Sequence, residues 1–411
     1  MNIFSFHITR YNLVIVLLGA LIYLFTLLCN SCNNSKTGIS NISHPGGKQF
    51  AGSESCKGCH ESIFKSHLQT AHAQSSSKGN LQTVKGSFEA GKNVYTMNWQ
   101  LKVVMEKNSE HLYQVGYANG VEQMRKPIDM VIGSGAKGQT YLYWYGNQLF
   151  QLPVSYYTPL NSWCNSPGFP LNEIMFNRPV ISRCLECHST FAKAIDEGIE
   201  TNAYDKTQMI YGITCERCHG PAADHVAYQI AHPDDKTAKS IINPARLTRQ
   251  QKLDNCALCH SSLRENSKPT FSYITGDKLD DYPTPDFRAD SVQKLDVHGN
   301  QYGLLTASKC FKMSNMDCSS CHNVHQKETN NAKLFSEKCM ACHKQVNHKF
   351  STLEENKGLD MANNCISCHM PLMPSEKIFL NVSDNSKSTA DMVRTHFIAI
   401  YNKIRDTKNI K

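Results

Sequence analysis

Apolar residues fall along this chain in three different rhythms. Residues 13–28 form a nearly unbroken apolar run after a short start that holds Arg10 and no acidic residue. Between Tyr95 and Met105 the rhythm changes to two: Tyr95, Met97, Trp99, Leu101, Val103 and Met105 alternate with positions that are polar from Thr96 to Lys102. Period two places alternate side chains on opposite faces, so it predicts a half-buried strand. Tyr113, Val115 and Tyr117 continue the alternation towards Asn119-Gly120, a pair suited to a tight hairpin turn. Tyr141–Tyr145 and Leu149–Val154 flank Gly146-Asn147 as a further hairpin. Residues 81–158 therefore read as antiparallel β structure.

Elsewhere the rhythm is helical or absent. Thr248 is placed to cap a helix through residue 256, Ser336 one through residue 339, and Asp224 one that stops before Pro233. Residues 261–309 are rich in Pro, Asp and Gly and predict irregular chain. At the C-terminus, Met392, Val393, His396, Phe397, Ile400 and Ile404 share one stripe, which predicts an amphipathic helix over 388–406. Gly133-Ser134-Gly135-Ala136-Lys137-Gly138 fits a dinucleotide fingerprint in spacing, but the β-prone segment after it argues for a turn between strands.

The chemistry lies in a repeat. Cys-x-x-Cys-His occurs as Cys56, Cys59, His60; Cys184, Cys187, His188; Cys215, Cys218, His219; Cys256, Cys259, His260; Cys318, Cys321, His322; Cys339, Cys342, His343; and Cys365, Cys368, His369. Two thiols at that separation suit the two vinyl groups of one porphyrin, and the next residue supplies an imidazole to its iron. Zinc or a reducible dithiol explains paired cysteines, but not a His after the second one every time. The repeat predicts seven covalently bound c-type haems. Every motif ends in His and none in Lys, so nothing marks one haem as different, which favours an electron carrier over an enzyme.

The far side of each iron needs a second ligand if it only carries electrons. Ten histidines remain once the seven proximal ones and His7 are set aside. His72, His225, His298, His325, His348 and His396 are the distal candidates, and His232 is a weaker one. His44, His67 and His111 read as surface residues. His225, His325 and His348 follow a motif so closely that they suit a neighbouring haem better than their own. Cys164 and Cys310 stand outside the motifs, open to a disulfide, a free buried thiol or an unusual iron contact.

Charge adds little. The formal net charge is +8, but a bis-His ferric haem with two ionised propionates carries about −1, so seven would bring the sum near zero. Basic composition is thus no argument for nucleic acid. The apolar run ends in Leu28-Cys29-Asn30-Ser31-Cys32 and a polar stretch follows. This resembles a bacterial lipoprotein signal with Cys32 as the acylated residue; a retained membrane helix and a cleaved signal are the alternatives. All three put the body outside the cytoplasm.

Four segments together resemble the multihaem cytochromes of the cytochrome c-552/c-554 family. They are Ser53–His60 with Thr70-Ala71-His72, Gly212–Pro221 with His225, Cys318–His325, and Cys365–Pro371. The resemblance implies a mainly helical and irregular haem-packing fold, electron transfer, and His72, His225 and His325 as distal ligands. The expected organisation is 1–32 signal or anchor, 33–50 linker, 51–80 first haem segment, 81–180 β-rich insertion in that otherwise helical fold, and 181–411 a six-haem domain with its terminal helix. The expected function is an extracytoplasmic, membrane-anchored relay between redox partners, either other cytochromes or a quinol-linked complex. Relatives also include enzymes acting on nitrogen oxides, so a reductase or oxidase of a small nitrogen or sulfur compound with one five-coordinate haem, or an anchoring subunit of a larger respiratory complex, are the other readings.

Overall fold

The computed structural model describes residues 40–109, 111–196, 201–262, 268–282, 295–346, 363–382 and 388–401. The apolar N-terminal run, Cys29, Cys32 and His348 lie outside these residues.

The expected mainly helical architecture is not what the chain forms. Helix makes up 25% and strand 27%, with the strands in several antiparallel sheets. Strands β2 (Val94–Thr96), β3 (Leu101–Lys107), β4 (Leu112–Ala118) and β5 (Val121–Pro127) form a four-stranded meander. Asn119 and Gly120 join the last two with φ of 48° and 80°, the two positive angles a type I′ turn requires. The long strand expected from Tyr95 to Met105 is instead a hairpin. Asn98 breaks it, because its Oδ1 accepts from both Gln100 and Leu101 N–H at 2.9 Å, a local bond that competes with the ladder. Trp99 is consequently turned out and 85% exposed, whereas Tyr95, Met97, Val103 and Met105 are buried.

A larger sheet runs in the order β1 (Ser76–Lys78), β6 (Met130–Ile132), β7 (Gly138–Tyr145), β8 (Gln148–Gln151) and β11 (Arg178–Pro179). The hairpin of β9 (Val154–Tyr157) and β10 (Ser162–Asn165) joins it through β7. Strand β7 divides two cores. Tyr141 and Tyr143 face Tyr95, Val103, Leu152, Val154 and Trp163. Leu142 faces Met130, Leu149, Val180, Leu185, Phe191 and Phe271. Consecutive apolar residues mark a strand buried on both sides rather than on one, and Tyr141, Leu142 and Tyr143 are all buried. The glycine-rich segment 133–138 is the turn between β6 and β7, as its β-prone flank predicts.

Helices are short. They are α1 (Glu54–Lys57), α2 (Glu61–His67), α3 (Ser182–Glu186), α4 (Cys215–His219), α5 (Ala223–Ala231), α6 (Arg249–His260), α7 (Gln301–Ala307), α8 (Lys309–Lys312), α9 (Ala332–Met340) and α10 (Cys365–His369). Helix α6 starts on the expected cap: Thr248 and Gln251 form a reciprocal capping box. Helix α9 does not start at Ser336. Asn331 caps it by accepting from Leu334 N–H, and Ser336 lies inside with its hydroxyl on the Ala332 carbonyl. Asp224 sits in the first turn of α5 and makes no cap bond, though the helix does end before Pro233.

Two hairpins went unforeseen. One pairs β12 (Ser189–Ala194) with β13 (Tyr204–Tyr211), and the other pairs β14 (Leu372–Leu380) with β15 (Thr389–Arg394). The second overturns the expected C-terminal helix. Residues 389–394 form a strand, 395–401 are irregular, and the end of the expected stripe lies outside the described residues. Pairing to β14 satisfies this backbone, and Asp391 is drawn inward to the Tyr157 hydroxyl at 2.8 Å and Lys137 Nζ at 3.1 Å. Those long-range partners outweigh a helical stripe that has nothing comparable to dock on.

Candidate haem-ligand pairs

Three of the motifs, those at Cys56, Cys318 and Cys339, close from the His back to the first Cys. The backbone N–H of His60 bonds the Cys56 carbonyl at 2.9 Å, and those of His322 and His343 bond Cys318 and Cys339 at 3.0 Å. Residues four apart in a turn share a face, so the first Cys and the His of a motif point the same way. Motif then meets motif through the thiols: Cys56 with Cys215, Cys187 with Cys259, Cys256 with Cys318, and Cys339 with Cys365. Cys218 lies near Cys256, and Cys321 near Cys318 and Cys342. The motifs thus follow one another in space.

Three motif cysteines stand apart from this succession. Cys368, expected to hold the last haem together with Cys365, is a half-buried free thiol on α10. Cys59 and Cys184 are exposed free thiols. Among the described contacts, neither Cys368 nor these two meets a thiol of another motif. Among the described contacts the last motif meets its neighbour through Cys365.

Three of the expected distal histidines stand opposite proximal ones. The ring centres are 6.1 Å apart for His72 and His260, 6.2 Å for His219 and His325, and 6.3 Å for His322 and His396. An imidazole nitrogen sits about 1.1 Å from its ring centre and bonds a metal at about 2.0–2.1 Å. Two rings trans on one ion therefore have centres about 6.3 Å apart. The residues present fit an iron held between two imidazoles, with a porphyrin filling the four remaining positions. Among the described residues no three His, Cys, Asp or Glu side chains converge to hold an ion unaided, and a porphyrin iron needs only two from the protein.

The other ring nitrogen decides whether a His is free to bind. His219 and His369 direct Nδ1 at the carbonyls of Ile242 and Ala399, both at 2.9 Å. His225 directs Nδ1 at the Lys239 carbonyl at 2.8 Å. A carbonyl only accepts, so Nδ1 carries the proton and Nε2 keeps its lone pair for a metal. Burial, reinforced by the neighbouring histidines, lowers His72, His188 and His396 to about 4. These rings are therefore neutral near pH 7, the form that ligates.

The remaining histidines differ in setting. His298 is exposed, lies near His188, and its Nδ1 is 3.8 Å from Asp391. Asp296 positions that segment by accepting from the His298 N–H at 2.7 Å and the Ser375 hydroxyl at 2.9 Å. His60 and His225 both lie near His219. His232 is exposed and stacked on Tyr228 with centres 4.3 Å apart, and no other histidine faces it among the described contacts. His111 is exposed beside Tyr113, and His67 flanks the His219–His325 pair. His44 is the correction: expected at the surface, it is buried. Its Nδ1 accepts from Gly46 N–H at 2.9 Å, which leaves the proton on Nε2 and makes this tautomer no ligand. Cys164 and Cys310 are both free thiols rather than a disulfide. Cys164 is packed with Tyr157 and Leu380, and burial pushes it up to about 12, whereas Cys310 lies near Cys321 and Cys339.

Sequence reasoning missed the residues between the motif cysteines. Glu186 is 1% exposed and bonds Arg183 at 2.7 Å, with Arg217 of the next motif at 3.7 Å. Glu186 Oε1 also accepts from Phe271 N–H at 2.7 Å. Glu216 is buried and accepts from Ala51, Gly52 and Ala222 N–H at 2.8–2.9 Å. Burial pushes its carboxyl up, against the pull of those three donors. The signal was present: charged residues inside short turns that must also hold a bulky apolar ring.

No curated protein and no solved structure matches the chain. Residues 173–220, which carry the Cys184 and Cys215 motifs, match the family model described as cytochrome c554 and c-prime, and this supports a c-type, haem-bearing cytochrome character for the protein.

Proposed function

We propose that the protein is a seven-haem c-type cytochrome that relays electrons through closely spaced, mostly bis-His haems. The carrying observation is the set of three His–His pairs at 6.1–6.3 Å, each joining a motif histidine to one from a distant segment. Bound haem supplies reversible one-electron chemistry at iron. The residues do the rest. The paired thiols of each motif, from Cys56 and Cys59 to Cys365 and Cys368, fix the rings in place. His260, His219 and His322 ligate from their own motifs, and His72, His325 and His396 close the opposite faces against substrate. His298, which lies near His188, is assigned to the His188 haem. The thiol contacts between motifs support an unbroken path. The N-terminal segment anchors the body at an extracytoplasmic membrane face, where partner cytochromes or a quinol-linked complex exchange electrons with it.

Mass spectrometry of the mature protein is expected to show seven haem additions; six or fewer refutes the count. Electron paramagnetic resonance of the oxidised protein is expected to be dominated by low-spin ferric signals. His72→Ala, His325→Ala or His396→Ala should each convert one haem to high spin. A large high-spin signal in the unaltered protein, or binding of cyanide or nitrite, would overturn the pure relay in favour of an enzyme.

A further inference from the structure

The three ring pairs differ in what meets Nδ1 of the motif histidine. His219 Nδ1 meets a backbone carbonyl, that of Ile242. His260 Nδ1 meets a neutral amide, Gln301 Oε1 at 3.3 Å. His322 Nδ1 meets a carboxylate, Glu328 Oε2 at 3.4 Å. The Glu328 side chain is only 13% exposed. Its other oxygen is fixed by the Asn323 N–H at 3.0 Å, which keeps Oε2 turned towards the ring. Asp317, next to Cys318, is balanced by Lys252 at 3.8 Å, so Glu328 is the carboxylate that acts on this imidazole.

At 3.4 Å the carboxylate lies within charge-contact range of the ring, and a negative charge held there makes the imidazole a stronger donor to its metal. A shielded negative charge also favours the more positive ferric iron. We propose that Glu328 is a positioning residue that holds the haem of the Cys318 motif at a lower reduction potential than the adjacent haem of the Cys256 motif. Contact between Cys256 and Cys318, and the approach of His72 to His322, make the two centres neighbours. They form a step in potential: one electron converts Fe(III) to Fe(II) at one centre as the other gives it up, and no bond breaks. This rests on His322 and His396 being axial ligands.

The test is a redox titration of the haem-loaded full-length protein, followed by electron paramagnetic resonance of each low-spin signal. Glu328→Gln keeps the shape and removes the charge. It should raise one potential by about 59 mV or more, a tenfold change in the one-electron equilibrium, with haem content and low-spin character retained. Glu328→Asp, which keeps the charge, should show less than half that shift. An unmoved potential in Glu328→Gln with ligation intact overturns the proposal. If Glu328→Gln loses the haem, Gln301→Glu takes its place and should lower the potential of the Cys256 haem; no change there is equally fatal. His396→Ala separates the two layers. One new high-spin haem upholds the ligand reading on which the proposal rests, whereas an all-low-spin spectrum removes both.

Discussion

Strands β2–β10 and the motif-bearing segments solve the problem of a core in opposite ways. The sheets bury Tyr95, Val103, Met105, Tyr141, Leu152, Val154 and Trp163 against one another. Each such side chain contributes roughly 1.5–3 kcal/mol by leaving water. By contrast, helices α1, α4 and α10 bury almost no apolar side chain of their own. Their cysteines are half-buried or exposed, and Cys56, Cys215 and Cys365 meet thiols of other motifs. One region is held by side chains. The other is built around surfaces that a porphyrin would cover.

Withholding haem should separate the two regions most sharply. Protein made without covalent attachment should lose amide-exchange protection across 318–346 and 363–369 and keep it across 94–107 and 112–165. Equal loss in both would mean that the sheets depend on the haems as well. Next in size, Trp163→Ala removes a ring packed on Tyr141 and Tyr156 and should cost about 3–5 kcal/mol in chemical unfolding. Haem spectra should stay unchanged. A spectral shift would join the two cores.

Asp391 tests the seam, since β15 carries it while Tyr157 and Lys137 belong to the sheets. Burial pushes this carboxyl up, but His298, Tyr157 and Lys137 more than offset that and hold it at about 2. A carboxyl lowered on folding contributes stability above its unfolded value, about 3.9, that is lost as pH falls towards 2. Asp391→Asn should therefore cost about 1–3 kcal/mol near pH 7, and most of the difference should be gone at pH 2 and all of it below. A gap that persists there would mean packing, not charge, joins the seam. The smallest effect is at Gly120. A Cβ there meets nothing within 4 Å, so Gly120→Ala should cost only about 1 kcal/mol, through its positive φ. A larger loss would place β5 under tertiary restraint.

What the sequence revealed was what neighbours in the chain decide. The Asn119-Gly120 turn, the Thr248–Gln251 box and the motifs themselves are local agreements between adjacent residues. Asn98 was legible too, but its bond to Leu101 competes with an alternation that reads as a single strand. The β12–β13 and β14–β15 pairings were not legible, since each strand is stabilised by a partner that periodicity does not name. Cys365 and Cys368 look alike in the repeat, yet only Cys365 meets the preceding motif, because the approach of α9 decides it. His396 shows both sides. Its stripe suggested a helix and the chain is irregular there, yet the ring still meets His322. His44 was misplaced because solvent exposure depends on Phe271 and Tyr273, which lie far along the chain.

Glu216 carries a consequence for how the molecule is made. Its carboxylate takes the amide hydrogens of Ala51 and Gly52, which lead into the first motif. During synthesis that motif emerges long before Glu216 exists to grip it. Cys56 and Cys59 therefore remain on a slack tether until the third motif arrives. The first motif in the chain is thus fixed in place only after the third has been made, although it is the first to emerge.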